Sequence, residues 1–592
     1  PRLVAGCARA VARARPGRRL SAMLALYLVL TLLLGWRLLS VQVIHAGQYQ
    51  GLAARQTRRQ VELPATRGTL YDRSGDPLAM SVAAATVYAD PHMIAEAGAD
   101  PRRLGRRLAP VLDAPRPRVE RLLRQDTGFV YLARQVPNQV GSRVAALGLP
   151  GIGVLEEPAR VYPAGPLAAQ VVGYVGTDYV GLSGMELQYD DVLAGRSGLL
   201  RLEEAPGGLE ITSARRQVRP PQPGRDLVLT LDREVQFATE TALRRAVDRY
   251  RADGGSAVVL DARTGEVLAM ASTPGYRPED IDRADEYARR NRVVTDVFEP
   301  GSVNKVITGS AALEEGVVTP RTRMMVPDRL RVADKEFTDS HSHPPEAMSF
   351  ADIIAESSNI GTIKVAQRLG PQRLAKYLRR FGYGRPTGLG FPGESAGIVA
   401  DVADWWGTSL PTIAIGQGVS ASLLQVAGVF QTVASGGERV EPTLVRGSTD
   451  GPGRLDPAPE PERRRVVSRR TAEQMARLLV GVVERGTGTQ AAVPGYRVAG
   501  KTGTAKKPSE TTRGYEAGAY IGTFAGFAPA EDPDLVVAVA LDEAEVIYGG
   551  VTAAPVFSEV MSFALAHRRV EPSRPVEAVA PGGGWAVAPP AG

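Results

Sequence analysis

The 592-residue chain contains a single cysteine, Cys7, so it cannot form a disulfide within itself. Only five histidines occur, which leaves few residues for histidine-based triads or metal sites. Lysine is scarce as well, since seven of the 71 basic residues are lysine and the others are arginine. Because arginine keeps its proton in proteins whereas a desolvated lysine can lose it, each lysine is a candidate for acid–base chemistry.

The chain also lacks a strong excess of either charge. Its formal net charge is +7, and both signs are spread along the chain after residue 62. This balance does not favour a nucleic-acid partner. With 44% hydrophobic and 23% charged residues, the composition is typical of domains that fold in water. The length predicts about three or four such units.

Long apolar runs are absent, with one exception near the N-terminus. Residues 20–36 are uncharged, and the apolar character resumes after Arg37 through Ile44. Arginines precede this run, and the first acidic residue is Glu62. The pattern predicts one transmembrane helix, with the N-terminus in the cytoplasm and the remaining chain outside. A cleaved signal peptide is the alternative, which the length of the run disfavours.

The region from residue 45 to about 225 shows short β-like runs, short basic helical stretches and many Pro and Gly residues, without a long periodic element. A breaker cluster at residues 220–224 predicts a linker. Beyond it the pattern is orderly, with a hairpin near residues 256–272, and a final helix over 553–567. Three late strands are predicted, at residues 495–504, 520–527 and 535–541.

Two early strands, three late strands and a stretch with helical patterning between them predict an α+β fold. Its centre would be an antiparallel five-stranded sheet with helices on both faces and a helical insertion. The predicted organisation comprises a basic tail (1–19), a transmembrane anchor (20–44), an elongated mixed α/β pedestal (45–224), a catalytic domain (225–567) and a disordered tail (568–592).

Ser302 and Lys305 form the first candidate constellation. Pro300 and Gly301 predict a turn, and Ser302 follows where a helix should start, near the positive end of the helix dipole. Lys305 is three residues further on and shares its helix face. A neutral lysine there can accept the hydroxyl proton as the serine attacks a carbonyl. A solvated helix face is the competing interpretation.

Two further constellations follow along the chain. Ser357 and Asn359 lie between two apolar helical stretches, where they could relay a proton and hold a peptide, or simply cap a helix. Lys501-Thr502-Gly503-Thr504 follows a β-like run, where it could hold the carboxylate of an extended peptide, or protect an exposed edge strand. Each motif alone is weak evidence for an active site, whereas the three motifs in this order are strong evidence.

The three motifs together resemble the signature of active-site serine penicillin-recognising enzymes. Residues 64–80, the segment Arg160-Val161-Tyr162-Pro163 and residues 181–195 resemble the pedestal of class B penicillin-binding proteins. The segments around the catalytic motifs are most similar to the division-specific FtsI type of actinobacteria. The resemblance therefore implies a septal peptidoglycan D,D-transpeptidase.

That resemblance also implies a role for each motif residue. Ser302 would be acylated with Lys305 as its base, Ser357 would relay the proton, and Asn359 would hold the donor peptide. Lys501, Thr502 and Thr504 would bind the terminal carboxylate, beside Gly503. The backbone N–H groups of Ser302 and Thr504 would form the oxyanion hole. No metal and no organic cofactor is implied, and we interpret the histidines at 341 and 343 as part of a polar loop rather than a metal pair.

The implied partners are D-Ala-D-Ala stem peptides, β-lactams, an FtsW-type glycan polymerase and small bitopic division proteins. The implied location is the cell membrane at the septum. Within class B, an elongation- or sporulation-type transpeptidase remains an alternative, as does a non-enzymatic tethered β-lactam sensor. Three further alternatives are a β-lactamase, a bifunctional class A synthase and a carboxypeptidase. The anchor disfavours the first and the pedestal disfavours the second, while the third differs in the choice of acceptor.

Overall fold

The computed structural model describes residues 16–45, 58–205, 209–210, 217–451, 454–508 and 514–575. The predicted basic tail and disordered tail lie for the most part outside these residues. The chain divides into two units: residues 1–65 with 196–222, and residues 66–195 with 223–592. These units do not coincide with the predicted domain boundaries, which therefore stay predictions.

The first unit contains the apolar N-terminal helix and a small sheet. The helix Pro16–Leu39 continues into a π-helical turn, Ser40–Ile44. Its apolar stretch Leu20–Ile44 is long enough to cross a membrane, and none of it is buried within the protein. The sheet pairs its strands antiparallel around the second of them. The strands are Arg58–Leu63, Gly198–Ala205, Leu209–Glu210 and Gln217–Arg219.

The second unit begins with a seven-stranded sheet whose longest strand, Pro77–Ala89, pairs antiparallel with both Val130–Pro137 and Ile152–Val161. The sequence predicted only the end of this strand, at residues 85–88. The other strands are Leu70–Tyr71, Asp226–Leu229, Val445–Thr449 and Asp456–Pro457. The helices of this region are Pro91–Glu96, Pro101–Leu112, Arg116–Leu122, Asn138–Ala146, Ala169–Val172, Gly184–Gln188 and Asp190–Leu193.

A second, five-stranded antiparallel sheet confirms the predicted α+β fold. Its strands run in the order Val267–Thr273, Gly254–Asp261, Leu535–Asp542, Tyr515–Ala528 and Ala499–Pro508. Strand residues alternate between two cores: Val258 joins the core on one face, and Val259 joins the core on the other. The sheet is therefore covered on both faces, which explains why the inner strands Gly254–Asp261 and Leu535–Asp542 are almost continuously apolar.

The helices Arg233–Tyr250 and Gly549–His567 cover one face of this sheet. Gly549–His567 is long and apolar enough to span a membrane, but it is a core helix with 56% of its apolar window buried. The other face packs against the helical insertion. The longer helices of the insertion are Lys305–Glu314, Phe350–Ala355, Asn359–Leu369, Pro371–Arg380, Ser409–Ala414, Leu423–Ala434 and Arg469–Arg485.

The insertion also contains strands that the sequence did not predict. Arg323–Val326 pairs with Glu346–Ser349, and Arg329–Val332 pairs with Lys335–Thr338. A further short pair joins Glu438–Val440 to Arg463–Arg465. Ser349 starts the helix Phe350–Ala355 with a capping box, so the end of one strand leads directly into a helix of the site.

Candidate active site

Ser302 lies in a 3₁₀ turn, Gly301–Asn304, which leads into the helix that begins at Lys305. The backbone of Gly301 has φ +57°, a conformation that favours glycine. Ser302 is half-buried and lines a cleft of about 480 Å³. Lys305, three residues further along the chain, is fully buried. The regular helix thus starts just after the serine, and the serine itself lies in a tight turn facing the cleft.

Lys305 is held by the second motif. Its Nζ donates to the carbonyl oxygen of Ser357 at 2.5 Å, and to Asn359 Oδ1 at 2.8 Å. A longer contact of 3.2 Å joins it to Ser357 Oγ. Burial lowers the pKa of Lys305 to about 7, against the opposing effect of the negative charge of Asp339. Lys305 can therefore be neutral near physiological pH, as a base requires.

Ser357 and Asn359 belong to a turn that we call the 357–359 turn. Ser357 has φ +61°, and the backbone strain of this left-handed conformation is concentrated at a residue facing the cleft. The alternative prediction for this motif was a helix cap. Ser358 provides that cap for the helix Asn359–Leu369, since its hydroxyl accepts from Gly361 N at 2.9 Å. The side chains of Ser357 and Asn359, on either side of the cap, line the cleft.

Lys501 lies on the edge strand of the five-stranded sheet but is not an exposed edge lysine. Its side chain is fully buried, and its Nζ donates to Ser357 Oγ at 2.8 Å. Burial and the neighbouring charge of Lys305 both lower the pKa of Lys501. Because the two lysines share one hydroxyl, a proton on either disfavours a proton on the other, and the pair titrates together.

Gly503 lets the edge strand lie against the turn that carries Ser302. A Cβ at this position would lie 2.2 Å from Thr523 Oγ1 and 3.1 Å from the carbonyl oxygen of Pro300. A side chain here would displace Thr523 and lie closer to the Pro300 carbonyl than an ordinary van der Waals contact allows. The glycine is thus required by contacts within the protein, in addition to the predicted approach of a peptide.

The cleft brings the three motifs together. Six of the eight predicted residues line it, and Lys305 and Lys501 lie beneath its floor. The six are Ser302, Ser357, Asn359, Thr502, Gly503 and Thr504. Two further residues line the cleft and were not predicted: Thr487, whose hydroxyl lies 2.7 Å from that of Thr502, and Tyr548, which is 60% exposed. No local motif marked either residue, because only the fold brings them to the cleft.

The histidine-containing loop holds no metal-type cluster. Within the described part of the chain, no group of three or more His, Cys, Asp or Glu residues could hold an ion. His341 lines the cleft with its ring nitrogen 3.0 Å from Ser340 Oγ. His343 instead contacts Asp339 and Glu346.

If Ser302 is acylated with Lys305 as its base, the rate of acylation should rise with pH through about 7, the pKa of Lys305. Below this value the lysine is protonated and cannot accept the serine proton, so the rate should fall about tenfold per pH unit. The check is the second-order rate constant for labelling by a fluorescent penicillin between about pH 5 and 9. A rate that rises with a midpoint near pH 10 instead, the ordinary pKa of an exposed lysine, would contradict the assignment of Lys305 as the base.

Family models match most of the chain. Residues 255–562 match the model described as the penicillin binding protein transpeptidase domain. Residues 62–229 match the penicillin-binding protein dimerisation domain.

Characterised relatives align over nearly the whole length. Penicillin-binding protein PbpB of Mycobacterium tuberculosis is 36% identical over 575 residues, which cover 92% of this chain and 84% of the relative. Peptidoglycan D,D-transpeptidase FtsI of Escherichia coli is 32% identical over 560 residues, covering 92% and 91%. Stage V sporulation protein D of Bacillus subtilis is 31% identical over 577 residues, covering 94% and 87%.

A solved structure supports the same relationship. The crystal structure of penicillin-binding protein 3 from Mycobacterium tuberculosis in complex with aztreonam superposes with a TM-score of 0.69 at 32% identity. The superposition covers 87% of this chain and 99% of that structure.

Proposed function

Since the chain belongs to the class B penicillin-binding proteins, we propose that it is a septal peptidoglycan D,D-transpeptidase that β-lactams acylate. The observation that carries this proposal is the convergence of the three motifs on one cleft. There the half-buried Ser302 lines the cleft, and Lys305, three residues further along the chain, is buried with a pKa of about 7.

In the proposed reaction, Ser302 Oγ attacks the carbonyl of the penultimate D-Ala of a donor stem peptide. Lys305 accepts the serine proton, and the terminal D-Ala leaves as its nitrogen takes up a proton that Ser357 relays. Ser357 is suited to this because its hydroxyl lies 3.2 Å from Lys305 Nζ and 2.8 Å from Lys501 Nζ. An amine of a second stem peptide then attacks the ester and regenerates Ser302.

We assign the oxyanion hole to the backbone N–H groups of Ser302 and Thr504. The close approach of the two segments supports this assignment, because a Cβ on Gly301 would lie only 3.0 Å from the carbonyl oxygen of Thr504. Two N–H donors so placed would stabilise the tetrahedral charge as it develops.

We assign recognition of the terminal carboxylate to Lys501, Thr502 and Thr504, with Asn359 holding the donor peptide. An arriving carboxylate favours the charged form of Lys501. That charge in turn disfavours a proton on Lys305, since the two lysines share the hydroxyl of Ser357. Binding of the correct substrate would thereby leave Lys305 as a free base.

The proposal also includes the orientation of the protein in the membrane and its partner proteins. We propose that the apolar stretch Leu20–Ile44 crosses the membrane with the N-terminus in the cytoplasm, which places the cleft outside. Arginines before the helix support this orientation. An FtsW-type glycan polymerase and small bitopic division proteins would be its partners at the septum. The sporulation relative keeps a sporulation-type role as the second candidate.

The test is intact-mass analysis of the full chain in detergent micelles after exposure to benzylpenicillin, with wild type beside Ser302→Ala. We expect one persistent adduct on wild type and none on the variant, because Ser302 is the proposed nucleophile and alanine has no hydroxyl to acylate. Rapid loss of the adduct would indicate a β-lactamase. A folded wild type without any adduct would refute the proposal in favour of a non-enzymatic scaffold.

A further inference from the structure

A hairpin between the first two motifs contacts the 357–359 turn through its last strand and Asp339. Asp339 follows the hairpin strand Lys335–Thr338. Its Oδ1 accepts from the backbone N–H groups of Asn359, at 2.5 Å, and Ile360, at 3.0 Å. Its Oδ2 accepts from the hydroxyl of Ser358 at 2.8 Å. One carboxylate, 6% exposed, thus satisfies three donors where the helix Asn359–Leu369 begins.

The same hairpin also sets the orientation of the Asn359 amide. Asn359 Nδ2 donates to the carbonyl oxygen of Thr338 at 2.9 Å. Because the NH₂ group is engaged there, the amide oxygen is the atom that faces Lys305 Nζ, at 2.8 Å. If the amide rotated by half a turn, it would present a donor to the lysine and lose this hydrogen bond.

His343 contacts Asp339 from the far side. Its Nε2 lies 3.2 Å from Asp339 Oδ2, and its Nδ1 lies 2.9 Å from the carbonyl oxygen of Pro344. Glu346 lies 3.3 Å from Nδ1, and the charge of Glu356 is also close enough to interact. The hydrogen bond to Pro344 and the charge of Asp339 raise the pKa of His343. The charged imidazole would fix the Asp339 carboxylate in its orientation.

We propose that Asp339 is a positioning residue for acylation, one that fixes the 357–359 turn so that Lys305 is held in place to accept the proton of Ser302. This inference rests on the proposed function. Asp339 acts through the turn and does not itself line the cleft. It was not predicted from the sequence, because it belongs to none of the three motifs and reaches them only through the hairpin.

Asp339 affects Lys305 in two ways: it positions the lysine, and its negative charge changes the pKa of the lysine. Positioning makes Lys305 a more effective base, so loss of Asp339 should slow the reaction. The negative charge also raises the pKa of Lys305, so loss of the charge should lower that pKa further. A purely structural contact would give the first effect without the second.

The experiment compares wild type with Asp339→Asn, both as full chain in detergent micelles, by the concentration dependence of acylation with a fluorescent penicillin. We expect the limiting rate constant on the pH plateau to fall about 10- to 100-fold, as misplacement of a catalytic group commonly causes. The dissociation constant of the non-covalent complex should stay within about twofold, and the acid limb should shift to lower pH.

Two further variants complete the design. Asp328→Asn is the matched control, because Asp328 lies beside the same hairpin but its carboxylate accepts from Ser342 Oγ, at 2.7 Å. This substitution should leave the limiting rate constant and the position of the acid limb unchanged. His343→Gln removes the contact on the far side of Asp339 and should cause a smaller fall in the limiting rate.

The outcomes separate this inference from the proposed function. A wild-type rate and an unmoved acid limb in Asp339→Asn would overturn the inference, and so would a lower rate whose acid limb stays in place. A wild type that is not acylated at all would instead refute the proposed function.

Discussion

Lys305→Arg is expected to slow the acylation of Ser302 by about 10²- to 10⁴-fold, the usual effect of losing a general base. Lys305 is fully buried, and its pKa of about 7 leaves much of it neutral at physiological pH. A guanidinium group keeps its proton in proteins. The substitution therefore retains a cation and its hydrogen-bond donors, and it removes only the ability to accept a proton.

Lys305→Met is the complementary variant, since it removes both the charge and the base while keeping an unbranched side chain. If Lys305 acts as the base, both variants should be almost equally slow. If it acts only as a fixed positive charge, the arginine variant should remain fast and the methionine variant should not. The measurement is the limiting rate of acylation by a fluorescent penicillin at about pH 8, where most of the wild-type lysine is neutral.

The matched control for Lys305→Arg is Lys364→Arg. Lys364 lies on the helix Asn359–Leu369, next to the 357–359 turn, and donates to the carbonyl oxygen of Met325 at 2.6 Å. An arginine there can still donate, so the acylation rate should stay within about twofold of wild type. Near-wild-type acylation by Lys305→Arg would disprove a base at this position.

The sequence predicted the five-stranded sheet because inner strands such as Gly254–Asp261 and Leu535–Asp542 are apolar and buried on both faces. The catalytic motifs were predictable for a related reason, since each consists of residues adjacent in sequence. The hairpin that ends at Asp339 was not predicted, because each of its strands has only four residues and most of their side chains are polar and exposed. Thr487 and Tyr548 reach the cleft through contacts distant in sequence, which a local pattern cannot show.

The 13-residue strand Pro77–Ala89 shows a different limit. Its central alanines have low β propensity, and nothing local distinguishes them from a helix. They form a strand because two partner strands pair with both edges. The burial of Lys501 is of the same kind: an edge lysine is usually exposed, but Lys501 is fully buried and contacts Ser357 of the 357–359 turn, which is distant in sequence.

Glu186→Gln is expected to destabilise the second unit by about 3–5 kcal/mol, because it leaves buried charges without their partner. Glu186 accepts from Arg67 Nε at 2.6 Å through one oxygen and from Arg160 Nε at 2.7 Å through the other. All three side chains are at most 1% exposed. Asp190 pairs with Arg67 as well, at 2.6 Å, but it cannot reach both guanidinium groups as Glu186 does.

The glutamine variant keeps the shape of the side chain and loses its charge, so the effect reports the uncompensated cations rather than a cavity. The measurement is backbone hydrogen exchange of the full chain in detergent micelles, followed in the strand Pro77–Ala89. A loss of about 3–5 kcal/mol should speed the slowest amides about 10²- to 10⁴-fold, since each 1.4 kcal/mol is tenfold.

Glu545→Gln provides the control for this network at the surface. Glu545 pairs with Arg251 at 2.9 Å, and their side chains are 61% and 77% exposed. Water and salt screen such a pair, so its loss should cost no more than about 1 kcal/mol and leave the slow amides nearly unchanged. Equal exchange rates in the two variants would show that Arg67 and Arg160 are compensated without Glu186, and the buried network would then not be what stabilises this part of the protein.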